Sequence, residues 1–264
     1  MRAVTVRGVG ICAAGLPDWA SASRVFAGKL PLESAAPPKR SVDGLPPTER
    51  RRINETSRLA CLAAGDALAP LGPGAAIAMP AIFTSADGDG IVLAQLLNAL
   101  AQRDIVVSPT AFHNSVYNAP AGYWTIATRA TAPSTTVCAD SSSFAVALLE
   151  GYAQAITTSG PVLVVAVDMP FPEAIRALGT SAAAFACAIV LDGAPAVNGG
   201  PRIERWTIGS GAERSHRADE IGVTYSGNAA AASLPLLYAL ARRDVTRVAL
   251  PYFDGAWLEL EVTP

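Results

Sequence analysis

The spacing of hydrophobic residues along the chain alternates between the two-residue period of strands and the longer period of helices. Residues 3–11 alternate and are rich in β-branched side chains, which predicts a strand. Residues 162–167 are all aliphatic, a density that favours a central strand buried on both faces. Apolar residues at helical spacing between 51 and 68 predict a helix, which the prolines and glycines of residues 70–74 end.

Further segments follow the same two patterns. Strands are predicted at residues 77–84, around Val137, and at 184–191, 203–208, 247–250 and 256–262. Helices are predicted at residues 18–26, 91–102, 114–127, 141–157 and 229–243. Asp18 is expected to cap the first helix, residues 31–47 to form an exposed loop, and the last two strands to form a hairpin around Asp254-Gly255. Because strands alternate with helices, the sequence predicts an α/β protein.

The composition is typical of a soluble protein with a large core. The chain has 264 residues, 51% of them hydrophobic, enough to form a single domain over residues 1–264. Its 20 basic and 22 acidic side chains nearly balance, so neither nucleic acid nor an anionic membrane is expected as a partner. No apolar run approaches about 18 residues, so no membrane span is expected. The N-terminus reads as a charged strand and not as a signal peptide, which favours a cytoplasmic location.

Residues with metal-binding or nucleophilic chemistry are few and scattered. The cysteines occur singly, without a CxxC pair, which predicts buried free thiols in a reducing compartment; they are Cys12, Cys61, Cys138 and Cys187. The two histidines, His113 and His216, are isolated from each other and from the cysteines. Neither a metal site nor a cofactor is therefore expected.

Residues 132–149 carry the most specific signal in the chain. They read as a buried strand, a sharp turn and a helix, an arrangement that presents a catalytic nucleophile. The segment resembles the nucleophile elbow of the β-ketoacyl synthases, whose usual pattern is Asp-Thr-Ala-Cys-Ser-Ser-Ser-Leu. On that pattern Asp140 takes the place of the nucleophilic Cys, and Cys138 lies two residues too early. A carboxylate cannot accept an acyl group from a thioester and pass it on as a thiolate does.

Other segments resemble the same family in the same order. The opening Arg-Ala-Val-Thr-Val-Arg-Gly is similar to its first strand, and residues 46–60 are similar to its early Arg-rich helix. Residues 108–126 resemble its Ser-Pro…Asn…Ala-Gly…Ile segment. The resemblance implies a truncated thiolase-like α/β fold with αβαβα layers. Residues 1–192 would be its amino-terminal half, and residues 193–264 a shortened remnant of the second half.

The second half of this family supplies two catalytic histidines, and neither has a counterpart here. Only 73 residues follow Leu191, and they contain no His-Gly-Thr-Gly-Thr loop. Residues 227–243 resemble the second histidine loop and its helix, with Asn228 in place of the His. The family's glycine oxyanion turn has become Tyr252-Phe253-Asp254-Gly255. Loss of the whole catalytic set argues against condensation chemistry.

This pattern is similar to that of chain-length factors, which pair with an active synthase, lack the nucleophile and shape the shared acyl pocket. The chain most resembles the short versions that accompany aryl polyene and related pigment pathways. The implied function is that of a non-catalytic subunit in a heterodimer with a full-length β-ketoacyl-ACP synthase, in a type II fatty acid or polyketide-like pathway. A shortened second half is expected to leave apolar surface uncovered, so the chain alone should be unstable or insoluble.

The resemblance also implies where the synthase binds. In this family the nucleophile strands of two subunits pair antiparallel across the dimer axis, which places residues 109–144 at the interface. Aromatic residues are only 6% of the chain and crowd into this stretch, a signal that does not depend on the resemblance. The expected interface residues are Phe112, Tyr117, Asn118, Tyr123, Trp124, Ile126, Val137 and Phe144. An acidic acyl carrier protein is a second candidate partner, with contacts expected at Lys39, Arg40, Arg50, Arg51 and Arg52.

Two other functions stay open on the sequence. One is a stand-alone homodimer that decarboxylates or hydrolyses acyl thioesters with Asp140, and the other is a module that binds a carrier protein without dimerising. Asp140 is interpreted either as a residual acid or as the cap of the helix over residues 141–157. Capping is favoured, because Asp accepts hydrogen bonds from the first free amides of a helix. Cys138 is interpreted as an inert core thiol.

Overall fold

The computed structural model describes residues 2–102, 106–179, 181–194, 200–210 and 220–264. The α-helices are α1 (Trp19–Phe26), α2 (Pro47–Arg52), α3 (Glu55–Leu68), α4 (Gly90–Leu100), α5 (Pro109–Asn114), α6 (Ala119–Thr128), α7 (Ser143–Thr158), α8 (Glu220–Thr224) and α9 (Leu234–Arg242). The strands are β1 (Val4–Ala13), β2 (Ala81–Thr84), β3 (Ser134–Val137), β4 (Pro161–Asp168), β5 (Phe185–Asp192), β6 (Arg202–Ser210), β7 (Thr246–Pro251) and β8 (Ala256–Thr263). The predicted α/β class is confirmed.

The described strands form one mixed sheet in the order β3-β2-β4-β5-β1-β6-β8-β7. β3, β2 and β4 run parallel to one another, and the other neighbours pair antiparallel. β1 meets β6 in only two residue pairs, Val4 with Ile203 and Thr5 with Arg202, so the sheet has a five-stranded part and a three-stranded part. The aliphatic run predicted as a central strand is β4, which lies between β2 and β5.

Helices cover both faces of the five-stranded part. α3 packs against β1 and β5 on one face. Gly8 and Gly10 allow this close approach, because a Cβ atom at either position would overlap a backbone carbonyl oxygen of α3. α7 packs against β2 and β4 on the other face. Its Tyr152 also contacts Trp206 of β6, with ring centroids 4.3 Å apart, so α7 joins the two parts of the sheet.

The outer face of the three-stranded part is charged. Alternate residues of β8 are buried, and Glu259 and Glu261 lie between them on the opposite face. Oε2 of Glu261 lies 3.7 Å from Nε of Arg205 and 4.0 Å from Nε of Arg247. This face therefore suits water. The expectation that the chain alone is unstable or insoluble stays a prediction.

Two predicted helices are each divided into two. The segment 51–68 breaks before α3, because the side chain of Asn54 accepts the amide of Ser57 and caps the new helix. The segment 114–127 also breaks: α5 ends at Asn114 and α6 begins at Ala119, with Pro120 in its first turn. In both cases a local capping residue or a proline overrides a continuous apolar pattern.

Several local predictions are confirmed and one is corrected. Oδ1 of Asp18 accepts the amide of Ser21 at 2.8 Å and caps α1. β7 and β8 pair as the predicted hairpin, joined by the turn Phe253–Gly255. The strand expected from residue 77 is shorter, because residues 75–78 form turns and only Ala81–Thr84 pair with their neighbours. A single domain divided near residue 192 stays a prediction.

Candidate functional site

The elbow predicted around Asp140 is present. β3 ends at Val137, a 3₁₀ turn spans Asp140–Ser142, and α7 begins at Ser143. Asp140 has a φ of 49°, in the left-handed region that is costly for most residues and is entered mainly by Gly, Asn and Asp. The amide of Ala139 donates to Oγ of Ser143 at 2.9 Å and closes the turn.

The strain at Asp140 differs from that elsewhere in the fold. The other described non-glycine residues with positive φ are Arg129, Ser159 and Arg243, and each follows the last residue of a helix. Left-handed residues are common at helix C-termini, whereas a strained turn between a strand and the start of a helix is typical of nucleophile elbows. The turn therefore has the backbone geometry of a nucleophile elbow, with a carboxylate at its strained position.

The expectation that Asp140 caps the following helix is wrong. Within the described residues, neither the 3₁₀ turn nor α7 has a side chain that accepts its first amides. The physical reason is position, because Asp140 is the first residue of the turn and the cap position belongs to Ala139. The carboxylate is instead exposed.

The expectation that Cys138 is a core thiol is also wrong. β3 ends one residue earlier, and the Cys138 side chain is exposed, whereas the other three cysteines are buried. Partial desolvation of the sulfur raises the pKa of the Cys138 thiol, and the Asp168 carboxylate raises it further. The thiol is therefore protonated at neutral pH, which makes it a poor nucleophile.

Asn228, at the position of the second histidine, is buried and hydrogen-bonded on both sides of its amide. Nδ2 donates to the backbone oxygen of Asp168 at 3.0 Å and to that of Ala183 at 2.8 Å. Oδ1 accepts the backbone amide of Ala231 at 3.1 Å. Asn228 thus fastens the loop before α9 to the ends of β4 and β5, and its hydrogen bonds serve the fold.

Asp168, which sequence reasoning missed, organises the same region. Oδ1 accepts three hydrogen bonds: from Oγ of Ser85 at 2.7 Å, from the amide of Ala86 at 2.9 Å and from the amide of Asp87 at 3.2 Å. Oδ2 accepts the amide of Ala230 at 3.0 Å. Burial raises the pKa of Asp168 to about 6, although the hydrogen bonds from Ser85 and the amides act in the opposite direction. Its signal in the sequence was a carboxylate directly after the aliphatic run of β4.

The structure brings together the two positions that the resemblance singled out, because Asp140 and Asn228 line the same cavity. It does not bring a histidine there. His113 lies in α5, where its ring centroid is 6.0 Å from that of Tyr123, and His216 lies outside the described residues. In the described ranges, no group of three His, Cys, Asp or Glu side chains is placed to hold a metal ion.

Among the helices of the described ranges, none combines the length and the apolar character needed to cross a bilayer.

The expected interface residues fall into two groups. Phe112, Tyr117, Asn118 and Ile126 are exposed, and Val137 is half-buried. The expectation that Tyr123, Trp124 and Phe144 anchor a partner is corrected, because these three side chains are buried in the core of this chain. Oη of Tyr123 donates to Oδ1 of Asn114 at 2.9 Å, which fixes α6 on α5.

Exposed apolar side chains from three consecutive helices, and from the turn between α5 and α6, make up what we call the α4–α6 face. α4 carries no charged residue, and most of its large aliphatic side chains are exposed. α4 packs against α5, which continues the surface. The members of the face are Ile91, Leu93, Leu97, Leu100, Phe112, Val116, Tyr117 and Ile126.

The residues expected to contact a carrier protein are all exposed, and they are Lys39, Arg40, Arg50, Arg51 and Arg52. Arg40 donates to the backbone oxygen of Pro17 at 3.0 Å, and Arg50 donates to that of Leu45 at 2.7 Å. Arg52 lies 3.5 Å from a carboxylate oxygen of Glu49. These contacts hold part of the basic cluster close to the surface of the loop before α2.

The fold and the site together define a class of protein: an α/β protein in which a strained turn at Asp140 joins an edge strand to a buried helix. Residues 19–200 match the family model described as the β-ketoacyl synthase, N-terminal domain. The match covers more than half of the chain, which therefore belongs to the β-ketoacyl synthase N-terminal domain family. No curated protein matches the chain.

Solved structures confirm the expected thiolase-like fold. The chain is similar to a chain from the ketosynthase ApeO in complex with its chain length factor ApeC from Xenorhabdus doucetiae. The TM-score is 0.74 at 23% sequence identity, and the match covers 99% of this chain and 100% of that chain. It is also similar to a chain of the ishigamide ketosynthase/chain length factor, with a TM-score of 0.76, 13% identity, and coverage of 99% of each.

Comparison with a β-ketoacyl synthase from Burkholderia phymatum STM815 shows the difference in length. The TM-score is 0.61 at 13% identity, and the match covers 92% of this chain and 71% of the synthase. The fold is thus that of a shortened synthase, as the sequence predicted.

Proposed function

We propose that this chain is a non-catalytic, chain-length-factor-like subunit that dimerises with a full-length β-ketoacyl-ACP synthase. In this role it shapes the acyl pocket of the synthase in a type II fatty acid or polyketide-like pathway of the aryl polyene type. Family membership and the likeness to chains from ketosynthase/chain length factor complexes support the proposal.

One observation carries the proposal: the strand that leads to the elbow lies at the edge of the sheet. Among the described strands, β3 pairs only with β2. Its other edge presents amides and carbonyls that can pair with a strand of another chain. All four residues of β3 are exposed or half-buried, although the strand leads directly to the elbow. A paired strand from a synthase would cover them.

The α4–α6 face supports the same interface. Single exposed apolar residues are common, but so many on three consecutive helices and the turn between them are typical of a protein–protein contact. Phe112 is 67% exposed and Leu100 is 56% exposed, so large side chains lie open to water in this monomer. We expect burial of this face by the synthase to contribute much of the affinity.

The changed site residues support the non-catalytic role. Asp140 cannot form the acyl-enzyme thioester intermediate, and the protonated Cys138 lies outside the strained position. Asn228 uses its side-chain amide in holding the loop before α9. A neutral amide also cannot exchange a proton as imidazole does.

The proposal is tested by co-expression with a full-length β-ketoacyl-ACP synthase from the same organism, followed by size exclusion with light scattering. We expect a one-to-one complex, and poor solubility of this chain without the synthase. Phe112→Asp and Ile126→Asp should each abolish the complex, because a charge would be buried in an apolar contact. Tyr123 is unsuitable for this test, because a charge at that buried position would disrupt the chain itself.

Ile208→Asp is the matched control. Ile208 is 52% exposed and Ile126 is 43% exposed, but Ile208 lies in β6 of the three-stranded part, outside the α4–α6 face. The control should assemble like the wild type. A stable monomer that binds no synthase, or loss of the complex in the control as well, would contradict the proposal.

A contact with an acyl carrier protein is proposed at the basic cluster of residues 39–40 and 50–52. All five side chains are exposed, and carrier proteins of this kind are expected to be acidic. Arg51→Glu together with Lys39→Glu should weaken binding of the carrier protein without affecting assembly with the synthase, as measured by surface plasmon resonance at two salt concentrations.

A further inference from the structure

The C-terminal ends of α1 and α9 meet at one corner of the molecule. Phe26, the last residue of α1, packs on Tyr238 of α9 with ring centroids 4.8 Å apart. Nε of Arg242, the last residue of α9, donates to the backbone oxygen of Phe26 at 3.1 Å. Side chains carried by the two helix ends are therefore brought close together.

Four cations belong to these two helix ends, and together they form what we call the α1–α9 corner. All four side chains are exposed, and they are Arg24, Lys29, Arg242 and Arg243. The amide of Lys29 donates to the backbone oxygen of Arg24 at 2.8 Å, so the turn after α1 keeps this lysine beside the helix end. Against these cations, residues 19–30 and 234–245 contain a single acid, Asp244.

The chain itself leaves much of this positive charge unpaired. Within the described ranges none of the four cations forms an ion pair, whereas the neighbouring Arg247 lies 4.0 Å from Oε2 of Glu261. Each helix C-terminus carries about half a negative charge, so the two ends offset about one cation, and Asp244 offsets another. The corner therefore keeps an excess of about two positive charges.

Arg242 is preorganised to bind an anion. Its hydrogen bond to Phe26 restricts the guanidinium group, and so does the Tyr238 ring, whose centroid lies 5.3 Å from the guanidinium carbon. Among the described residues, the two terminal nitrogens of Arg242 have no acceptor. A guanidinium presents paired N–H donors that match the two oxygens of a carboxylate, so an anion can bind there at low entropic cost.

We propose that the α1–α9 corner is a docking surface for an acidic polypeptide segment, whose carboxylates bind Arg242 and Arg243 while Arg24 and Lys29 attract the segment to the corner. Charge complementarity defines the partner, because unpaired guanidinium and ammonium groups select carboxylates. A membrane surface fits less well, since the described residues of α1 and α9 include no exposed large apolar side chain to insert between lipids. The inference does not rest on the proposed pairing with a synthase.

The corner is separate from the basic cluster of residues 39–40 and 50–52. That cluster reaches α1 at the opposite end, where Arg40 donates to the backbone oxygen of Pro17. α1 has eight residues, so its two ends are about 12 Å apart. Exposed charges are largely screened beyond a Debye length of about 8–10 Å, so variants at the two sites should act independently.

The test is fluorescence anisotropy of a labelled deca-glutamate peptide titrated with the full-length chain at two salt concentrations. We expect saturable binding that weakens as the salt concentration rises, and no binding of a Gly-Ser peptide of the same length. Lys29→Glu together with Arg243→Glu should weaken binding of deca-glutamate roughly tenfold, because two exposed attractive contacts become repulsive. Circular dichroism confirms that this variant is folded.

Two double variants with the same change in net charge are the controls. Arg129→Glu with Arg176→Glu changes exposed arginines elsewhere, and Arg129, like Arg243, follows the last residue of a helix with a positive φ. Lys39→Glu with Arg51→Glu changes the other basic cluster. Both controls should bind deca-glutamate like the wild type.

Three results would overturn the proposal. The first is no binding of deca-glutamate by the folded wild type at low salt. The second is a loss of affinity in either control that equals or exceeds the loss in the corner variant. The third is tighter binding to phosphatidylglycerol vesicles than to deca-glutamate, measured by cosedimentation, which would identify a membrane as the partner instead.

Discussion

At the scale of single residues, Asp140 combines a strained backbone with a carboxylate side chain. Its φ lies in the left-handed region, at the start of the turn that leads into α7. Asp is one of the few residues other than glycine that tolerate this φ, because its short polar side chain can hydrogen-bond locally. An aspartate therefore adopts this turn at low cost, and under the proposed function it stands where an active synthase has its nucleophile.

The backbone account of Asp140 makes a prediction that differs from capping. Asp140→Gly should keep the wild-type free energy of unfolding or raise it, and Asp140→Ser should lower it by about 1 kcal/mol, since Ser has no advantage at positive φ. Capping would reverse this order, because Ser is a better cap than Gly. Denaturant unfolding of both variants decides between the two accounts.

Asp168 predicts a dependence of stability on pH. Its pKa in the folded chain is about 6, above the ordinary value of 3.8, so the folded state binds the proton more tightly than the unfolded state. Its contribution to stability is therefore full below about pH 4 and is lost as the pH rises through about 6. Two pKa units correspond to about 3 kcal/mol.

Comparing the wild type with Asp168→Asn separates the pH dependence due to Asp168 from that due to the other carboxylates. The difference in unfolding free energy, wild type minus variant, should fall as the pH rises from 4 to 7, measured by urea titration at each pH. A difference that stays constant over this range would show that Asp168 has an ordinary pKa.

At the scale of secondary-structure elements, close contact between α3 and β1 depends on glycine. Gly10→Ala should lower the free energy of unfolding by about 3 kcal/mol, because the new Cβ overlaps a backbone carbonyl oxygen of α3. Gly65→Ala is the matched control within α3, since nothing lies within 4 Å of its Cβ position. That change should raise the stability by about 0.5–1 kcal/mol through helix propensity. The melting temperatures of both variants measure this. The same change in melting temperature in both would contradict the close packing of α3 on β1.

The same scale shows what the sequence could and could not predict. β4 and the elbow were found because an aliphatic run and a strand–turn–helix pattern are local signals. The break before α3 was missed because it depends on Asn54 capping, which the apolar periodicity masks. The burial of Tyr123 was missed because side-chain direction on a short helix depends on packing that the sequence does not display. Asp168 depends on donors from three separate segments, which only the folded chain brings together.

At the scale of the whole molecule, the charged outer face of the three-stranded part and the α4–α6 face have opposite consequences. The first suits exposure to water, so the shortened second half needs no further cover there. The second leaves large apolar side chains open. Any tendency of the isolated chain to associate should therefore come from the helices beside the elbow.

The whole-molecule view also predicts the absence of turnover. The purified chain should neither condense nor cleave acyl- and malonyl-carrier protein, because it lacks a thiolate at the elbow and a histidine at residue 228. Mass spectrometry of the carrier protein after incubation measures this directly. Turnover that disappears in Asp140→Ala would instead support a stand-alone thioester decarboxylase or hydrolase.

The narrow junction between β1 and β6 determines how the fold opens. Two residue pairs contribute few backbone hydrogen bonds, so side-chain packing, such as Tyr152 on Trp206, carries most of the attachment. Hydrophobic attraction weakens on cooling, whereas the hydrogen-bonded ladders of β4 and β5 depend on it less. Near 0 °C, amide hydrogen exchange should therefore accelerate across β6 and β8 before it does in β4 and β5. The two parts of the sheet would then behave as separate cooperative units in the cold and as one at room temperature.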